Sequence, residues 1–501
     1  MLFLCLLFQT SQISIDITQQ KPISPYIYGA NNMQWGKMGS GYPLVRQGGN
    51  RLTAYNWETN ASNAGSDWHH QNDGLLGETN EAGLASTSYM KAAQQNGAAV
   101  LLTIPTAGYV SADKKGDGDV NKTPDYLNTR FYKSYAKKPG GKYVYPPDTS
   151  DKAVYQDELV AHLEKTKSSK APVWYSLDNE PDLWSHTHER IHPNKITYAE
   201  LIKNNIDFAS GIKAVAPQSL IFGPANYGWH GFRTLQDAPD GKGRDFLDTY
   251  LEAMKEAEKT TGKRLLDVLD IHWYPEARGG GVRVTEDDAK PETAAARVQS
   301  PRSLWDAGYV ESSWIADSLG KKPITLLPRV LGQVSEHYPG TKLAITEYNY
   351  GGSKDASGLV AQADALGVFG RYGLFAACNW GLSPETPSQI AGFQAFLNYD
   401  GRGAQFGDLG VAVKGETASD NAVYAAMSSK SKKRMTIVII NKKAMAQSFN
   451  ISLPSTPKLT RAFLMDASAP TTPKEFNVGP GTTSLSFKLP ATSVVTAEVY
   501  F

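Results

Sequence analysis

The 501-residue sequence has few cysteines, no excess of either charge and no long apolar run in its interior. Its two cysteines are Cys5 and Cys378, and Cys5 lies in an apolar N-terminal segment. If that segment is removed, one thiol remains, which excludes an internal disulfide. The 51 basic residues nearly equal the 50 acidic ones, which argues against nucleic acid or an anionic membrane as the main partner.

Residues 1–8 are apolar, and Thr10 and Ser11 follow them. The segment resembles the hydrophobic part of a secretion signal without its basic start, and it is too short to cross a bilayer. We therefore predict that residues 1–11 are the remnant of a signal peptide and that the protein is extracellular. The alternative interpretation is an artefact of the gene start.

Short apolar runs alternate with helix-like segments over most of the chain, which predicts a parallel sheet; eight such units predict closure into a (β/α)8 barrel. The first two strands are the weakest assignment, because no helix separates them. The predicted strands are residues 26–31, 43–48, 98–105, 172–180, 220–225, 266–273, 342–347 and 374–380. The predicted helices are residues 84–96, 152–167, a segment that starts at Thr197 with a capping box completed by Glu200, 245–259, one within 303–337, and 359–372.

After about Gln389 the strand-like runs follow one another without a helical period. Runs of this kind, separated by Pro, Ser, Thr and Gly, are typical of an antiparallel sandwich. Residues 13–18 alternate apolar and polar side chains and have no role in the barrel, so we predict that they join this sandwich. The predicted fold class is α/β, a barrel with a second, smaller all-β domain. The predicted segments are 12–25 for the joining strand, 26–388 for the barrel and 389–501 for the sandwich.

One stretch changes character abruptly: VWYSLDNEPDLW, residues 173–184. Its first residues are predicted to form a buried strand, and Asp178, Asn179 and Glu180 stand at the end of that strand. Pro181 cannot continue the strand, and it disfavours a helical backbone at Glu180, so we expect an extended conformation there. Side chains at the C-terminal strand ends of a β/α barrel are where active sites lie. We interpret Asp178 as a supporting residue that pairs with an arginine.

A second stretch, KLAITEYNYGG at residues 342–352, has the same design and ends its strand in Glu347. Two carboxyls at two strand ends suit the cleavage of a glycosidic bond, because one protonates the leaving oxygen while the other attacks the sugar carbon or steers water to it. The alternative is that the glutamates are structural ion-pair partners. This explanation is less favoured for both glutamates together than for either one alone.

At SLDNEPDLW and ITEYNYGG the sequence resembles glycoside hydrolase family 44, and three further segments extend the likeness: residues 46–68, 223–232 and 270–275. The resemblance implies endo-acting cleavage of β-1,4-glucans and xyloglucan with retention of configuration. It makes Glu180 the acid/base and Glu347 the nucleophile. It also implies that Asn179 binds the sugar 2-hydroxyl, Tyr274 holds the nucleophile and Trp380 forms the floor under the sugar.

Aromatic and charged residues in the loops supply further candidates for substrate binding. We predict that the loops 57–68 and 184–192 wall a long cleft, and that Arg46 or Arg51 binds a catalytic carboxylate and keeps it ionised. Glu58 and Glu276 are rival carboxyls, more suited to binding sugar hydroxyls than to catalysis. The other candidates are Trp57, Trp68, Trp184, Tyr227, Trp229, His272 and Tyr348.

Metal sites find little support in the sequence. Neither His69 and His70 nor the histidines at 186, 188 and 192 have the spacing of a helical zinc site, so no metal is expected in catalysis. Asp113, Asp117 and Asp119 form an oxygen-rich loop that lacks the closing glutamate of a calcium loop. A solvated turn is the default there, and a structural calcium is the alternative.

The predicted function is therefore a secreted, monomeric, retaining endo-β-1,4-glucanase that acts on a polysaccharide, with no nucleic acid or membrane partner and no cofactor. A β-mannanase or xylanase on the same barrel is the first alternative. A non-catalytic polysaccharide-binding protein is the second.

Overall fold

The computed structural model describes residues 10–38, 41–168, 171–478 and 483–501. Most of the predicted signal remnant, residues 1–9, lies outside this range. Eight parallel strands close a barrel in which each strand pairs with the next along the chain, and the eighth pairs with the first. The barrel strands are β1 Gly29–Asn31, β2 Leu44–Gln47, β3 Ala99–Ile104, β4 Val173–Leu177, β5 Ile221–Asn226, β6 Val268–Trp273, β7 Lys342–Tyr348 and β8 Ala376–Asn379.

The barrel strands are apolar because helices cover their outer face while side chains fill the interior. Strand β3, for example, is buried at every position. Thr197 caps the helix Tyr198–Val215, and its hydroxyl accepts the Glu200 amide at 3.0 Å, which confirms the predicted capping box. The helices that follow β2 to β8 are Leu84–Gln95, Gln156–Thr166, Tyr198–Val215, Phe246–Thr261, Leu326–His337, Ala356–Tyr372 and Pro387–Leu397.

In its described residues, the connection between β1 and β2 has a single helix, the four-residue Trp35–Met38. This is the reason that the sequence carries no helical period there. Longer insertions follow other strands and lie at the C-terminal side of the barrel. They include the helices Gly228–Thr234, Pro291–Gln299 and Trp314–Ser318 and the small sheet Tyr109–Ser111, Phe131–Tyr135 and Ala153–Tyr155.

The second domain is one nine-stranded sheet that folds over its own apolar core. Strand Ser11–Pro22 lies inside this sheet, antiparallel to Leu409–Lys414 and parallel to Gln447–Ser452. The predicted fold class, including the contribution of the N-terminal strand, is confirmed. In spatial order the strands are Lys474–Glu475, Leu459–Leu464, Ser493–Tyr500, Arg434–Asn441, Asn421–Met427, Leu409–Lys414, Ser11–Pro22, Gln447–Ser452 and Ser484–Leu489.

The predicted domain boundary at 388/389 falls inside the helix Pro387–Leu397. This helix packs against the barrel helix Ala356–Tyr372, and the sheet begins only at Leu409. The helix is buried along ten of its eleven residues and is therefore apolar on all sides, which hides the 3.6-residue period on which helix prediction depends.

The helix Ala356–Tyr372 lies between the barrel and the sheet, and thirteen of its seventeen residues are buried. Its Asp364 pairs with Lys442 of the sheet domain at 2.7 Å, with both side chains 1% exposed. Among the described helices, none is both long enough and apolar enough to cross a membrane.

Candidate active site

Glu180 follows β4 and is placed by an unusual backbone path. Asp178 and Glu180 both have left-handed conformations, with φ of 66° and 43°. The extended backbone expected at Glu180 is therefore wrong. Pro181 disfavours the right-handed region but leaves the left-handed one open, and the Glu180 amide is held there by a 2.9 Å hydrogen bond to the Ala225 carbonyl of β5.

Glu347 is the last but one residue of β7, and its two carboxylate oxygens have different donors. Oε1 accepts a hydrogen bond from Arg46 Nη1 at 2.7 Å, and Oε2 accepts one from the Tyr274 hydroxyl at 2.8 Å. Glu347 is 4% exposed, so these two contacts fix the orientation of a nearly buried carboxylate.

His272 on β6 lies between the two glutamates. Its Nδ1 is 2.9 Å from Glu180 Oε1 and 3.6 Å from Glu347 Oε2. One carboxylate oxygen from each glutamate and one ring nitrogen of His272 lie within 4.8 Å of one another. The two carboxyls thus face each other across a gap of a few ångströms, although 167 residues separate them in the sequence.

Burial sets the charge of this group of side chains. It raises the pKa of Glu180 to about 7, against the opposing effect of Arg46, while Asp67 adds to the rise. Burial also lowers the pKa of His272 to about 3, so its imidazole is neutral at physiological pH. A carboxyl that titrates near neutrality can both donate and accept a proton at working pH.

A supporting layer behind His272 was not predicted from the sequence. The Thr346 hydroxyl is 3.4 Å from His272 Nε2 and donates to Asp270 Oδ2 at 2.8 Å. Burial raises the pKa of Asp270 to about 7. Asp270 stands two residues before His272 on β6, so strand alternation places both on one face, and this spacing is the signal that could have found it.

Arg46 on β2 is fully buried and joins the two halves of the site. Besides Glu347, it donates from Nη1 to Asn31 Oδ1 at 3.1 Å and from Nη2 to Asn179 Oδ1 at 2.9 Å. The other candidate, Arg51, pairs instead with Asp73. Of the two predicted arginines, Arg46 is thus the one that contacts a candidate catalytic carboxylate, that of Glu347.

An open cleft of about 1330 Å³ lies above these residues. Gly49 lies in a left-handed conformation under the Trp380 ring, where an added Cβ would come within 2.6 Å of it, so a close backbone approach seats the indole. Among the predicted site residues, those that line the cleft are Asn179, Glu180, Tyr227, Tyr274, Glu347 and Trp380. Residues that line it but were not predicted include Asn32, Gln47, Asn50, Asp67, Tyr89 and Arg283.

Several predicted aromatic contacts lie elsewhere. Trp184 is fully buried and donates from Nε1 to the Asn179 carbonyl at 3.1 Å, so it supports the site from behind instead of contacting the cleft. Trp68 is 56% exposed and contacts His69 edge-on. Apolar rings beside Gly and Asn thus include core residues, which composition cannot distinguish from cleft walls. The other predicted aromatic site residues that are buried outside the cleft are Trp57, Trp229 and Tyr348.

The remaining carboxyl predictions also change. Asp178 pairs with no arginine; it accepts hydrogen bonds from the Thr53 hydroxyl at 2.6 Å and from the Thr106 amide. Glu58 is buried outside the cleft, where burial and nearby carboxylates raise its pKa to about 8. Glu276 pairs with Arg283 at 2.7 Å.

The oxygen-rich loop places its three aspartates against arginines. Asp113 and Asp117 contact Arg130 at 2.6 and 2.8 Å, and Asp119 contacts Arg190 at 2.7 Å. Guanidinium groups therefore already neutralise the carboxylates that a calcium ion would need.

The fold and the site together define a barrel of the glycosidase class, with paired carboxyls after the fourth and seventh strands. The family model of glycoside hydrolase family 44 matches residues 61–277. A solved structure of a Paenibacillus polymyxa xyloglucanase from that family, with xyloglucan, is 36% identical and has a TM-score of 0.92, with 98% of this chain and 100% of that chain covered. The chain belongs to glycoside hydrolase family 44.

Two curated relatives are longer proteins. Endoglucanase A of Paenibacillus lautus is 41% identical over 446 residues, which are 85% of this chain and 62% of the relative. Beta-mannanase/endoglucanase A of Caldicellulosiruptor saccharolyticus is 40% identical over 489 residues, which are 91% of this chain and 36% of the relative. The chain thus spans less than two thirds of either relative.

Proposed function

We propose that the chain is an endo-acting glycoside hydrolase that cleaves β-1,4-glucosidic bonds in cellulose-type glucans and xyloglucan with retention of configuration. The spacing of the two carboxyls carries this proposal. Oxygens of Glu180 and Glu347 lie within 4.8 Å of each other. Retaining glycosidases have carboxyl groups about 5–5.5 Å apart, whereas inverting ones need about 6.5–9.5 Å to admit a water molecule.

In the first step, Glu347 attacks the anomeric carbon while Glu180 gives its proton to the departing glycosidic oxygen. The bond to the leaving sugar breaks as the glycosyl–Glu347 ester forms. Arg46 and Tyr274 hold Glu347 by its two oxygens, which directs it at the sugar. Esterification removes the charge of Glu347, and Glu180 then takes a proton from water, whose oxygen displaces Glu347 with a second inversion.

Cleavage inside the chain fits the shape of the site, because the cleft is open to solvent and is not an enclosed pocket. A polymer can therefore lie across it with sugars on both sides of the scissile bond. The relative solved with xyloglucan is named a xyloglucanase, and both curated relatives carry the name endoglucanase. These names support a β-1,4-glucan as the substrate class.

Azide rescue would test both the roles and the stereochemistry. With an aryl cellobioside that has a good leaving group, Glu347→Ala plus azide is expected to yield the α-glycosyl azide by direct displacement. Glu180→Ala plus azide should yield the β-azide, because Glu347 still forms the intermediate. The wild-type enzyme should release the β-anomer first, as followed by NMR. An initial α-product from the wild type would contradict retention.

A mannan-degrading activity is the second candidate, because one relative is named a beta-mannanase as well as an endoglucanase. Release of reducing sugar from carboxymethylcellulose, xyloglucan, mannan and xylan distinguishes the two. A non-catalytic polysaccharide-binding protein would release none from any of them, and Glu347→Ala would then change nothing.

We further propose that the enzyme acts outside the cell as a monomer and that catalysis needs no metal ion. A polymeric substrate is met outside the cell. Glu180, His272 and Glu347 have the spacing of a metal-ligand set, but both oxygens of Glu347 already accept hydrogen bonds and Arg46 supplies the neutralising charge. Dialysis against EDTA should therefore leave kcat unchanged, and a loss restored by one divalent cation would contradict this proposal.

A further inference from the structure

A cluster of exposed aromatic rings lies outside the cleft. Ten large hydrophobic side chains are exposed in the described part of the chain, and four of them fall within residues 135–145. Three are tyrosines, Tyr135, Tyr143 and Tyr145, exposed by 43%, 38% and 47%. We call these three residues the tyrosine platform. A concentration of exposed aromatic surface of this kind marks a binding surface more often than chance exposure does.

The ring of Tyr145 is fixed in place. It stacks on His162 with a centroid distance of 4.1 Å and an interplanar angle of 4°. His162 stacks in turn on the buried Trp57 at 6.4 Å and 19°. The Tyr145 hydroxyl donates to the Ala82 carbonyl at 3.1 Å. One face of the ring is therefore covered by His162, and the other is held towards solvent.

The other two rings are also restrained. Tyr143 donates from its hydroxyl to Asp157 at 2.9 Å, and Tyr135 stacks on Tyr155 at 5.7 Å and 27°. Because these side chains are ordered before any ligand binds, binding loses little side-chain entropy.

Two buried carboxylates anchor the loop that carries the platform. Asp157 accepts the Lys138 amide at 3.0 Å, and Glu158 accepts the Val144 amide at 2.8 Å. Glu158 also pairs with the Lys138 ammonium at 2.6 Å. These hydrogen bonds hold the loop against the helix Gln156–Thr166, so the rings that it carries keep a fixed position.

The platform is hydrogen-bonded to a segment that reaches the cleft. The Ala82 carbonyl that receives the Tyr145 hydroxyl precedes Leu84 and Ala85 by two and three residues, and both of these line the cleft. A polymer that leaves the cleft over this segment would meet the platform next.

We propose that the tyrosine platform binds a β-linked glucan chain outside the catalytic cleft, an inference that rests on the proposed function. A β-linked pyranose presents flat C–H faces that pack on aromatic rings, which matches exposed tyrosine rings held in fixed orientations. The platform then increases the affinity for long substrates and has no contact with short ones.

Kinetics on long and short substrates separate this role from catalysis. Tyr135→Ala, Tyr145→Ala and the double variant would be assayed on soluble xyloglucan and hydroxyethylcellulose, and on an aryl cellobioside that fills only the central cleft. Met445→Ala, which removes an exposed side chain of the sheet domain, is the matched control. Each tyrosine variant should raise KM for the polymers by roughly 2- to 10-fold. Hydrolysis of the aryl cellobioside should not change, and thermal unfolding would check that each variant is folded.

Each outcome decides the matter. If the folded double variant has an unchanged KM on both polymers, the proposed role of the platform is wrong. An equal loss of activity on long and short substrates would also contradict it, because such a loss indicates damage to the cleft. If Tyr145→Ala does not fold, Tyr135→Ala alone decides. A wild-type enzyme that hydrolyses none of these substrates refutes the proposed function instead, which is a separate result.

Discussion

At the scale of single residues, the site depends on two glutamates whose surroundings differ. Glu347 accepts hydrogen bonds from a buried guanidinium and a tyrosine hydroxyl, which fix the orientation of its carboxylate. Glu180 is buried against a neutral imidazole, and burial raises its pKa to about 7. Under the proposed mechanism, the first carboxyl attacks the sugar and the second carries the proton.

Tyr274→Phe should lower kcat/KM by about 100-fold with little change in stability, because it removes one of the two donors that orient Glu347. The matched control is Tyr348→Phe. Tyr348 adjoins Glu347 in the chain, but its hydroxyl bonds Gln362 in the core, at 2.9 Å. The control should lose stability and keep its activity. Equal losses of activity in both variants would contradict the role of Tyr274.

The activity should fall as pH rises through about 7, because Glu180 can donate its proton only while it is protonated. The measurement is kcat/KM between pH 5 and 9 on cello-oligosaccharides. A dinitrophenyl glycoside serves as the control, since its leaving group needs no proton and its kcat/KM should not show this alkaline decline. The same decline on both substrates would assign the titration to another group.

Sequence reasoning located both glutamates because each interrupts an apolar strand with a carboxyl, a signal that is local in the chain. It failed for Trp57 and Trp184, since an aromatic ring in a loop has the same local signature whether it faces the cleft or the core. It also missed Thr346 and Asp270, whose part in the site depends on contacts between neighbouring strands.

At the scale of elements, the helix Ala356–Tyr372 joins the two domains and carries a buried ion pair between Asp364 and Lys442. Lys442→Met should destabilise the protein by about 3–5 kcal/mol, because it leaves a buried carboxylate without its counter-charge. Neither Asp364 nor Lys442 lines the cleft, so kcat below the unfolding temperature should be kept.

Urea unfolding of Lys442→Met and of the double variant Lys442→Met/Asp364→Leu would check this expectation. The double variant replaces both charges with apolar groups and should recover much of the loss. If the single variant is as stable as the wild type, the pair contributes nothing to the contact between the domains.

Barrel strands and most of their helices were predictable, because strand length, apolar content and the 3.6-residue period are local properties. The helix Pro387–Leu397 was not, since burial on all sides removes its amphipathic period. The backbone at Glu180 was not either, because a hydrogen bond to the neighbouring strand selects its left-handed conformation.

For the whole molecule, several buried carboxyls make stability depend on pH. Burial raises the pKa of Glu180, Asp182 and Asp270 to about 7, and that of Glu58 to about 8. Between pH 6.5 and 8 the folded chain therefore binds more protons than the unfolded chain. The free energy of unfolding should decrease over this range as pH rises, by about 2–4 kcal/mol in total.

Two buried histidines affect the free energy of unfolding mainly at lower pH. Burial lowers the pKa of His188 and His272 to about 3, so they favour unfolding as pH falls towards and below the unfolded value of about 6.5. Between pH 6.5 and 8 they oppose the carboxyls by only about 0.4 kcal/mol each, so urea titrations at these two values still report the carboxyls. Equal unfolding free energies at the two values would show that the carboxyls are not protonated in the folded state.

The strand Ser11–Pro22 has a consequence for biosynthesis. Ser14 pairs with Lys414, so this segment must wait for about four hundred further residues before its neighbours on the sheet are translated. The barrel can mature during that interval, whereas the sheet domain cannot. An attempt to graft the sheet domain onto another enzyme must therefore carry this strand with it, because residues 409–501 alone would leave the middle of the sheet open.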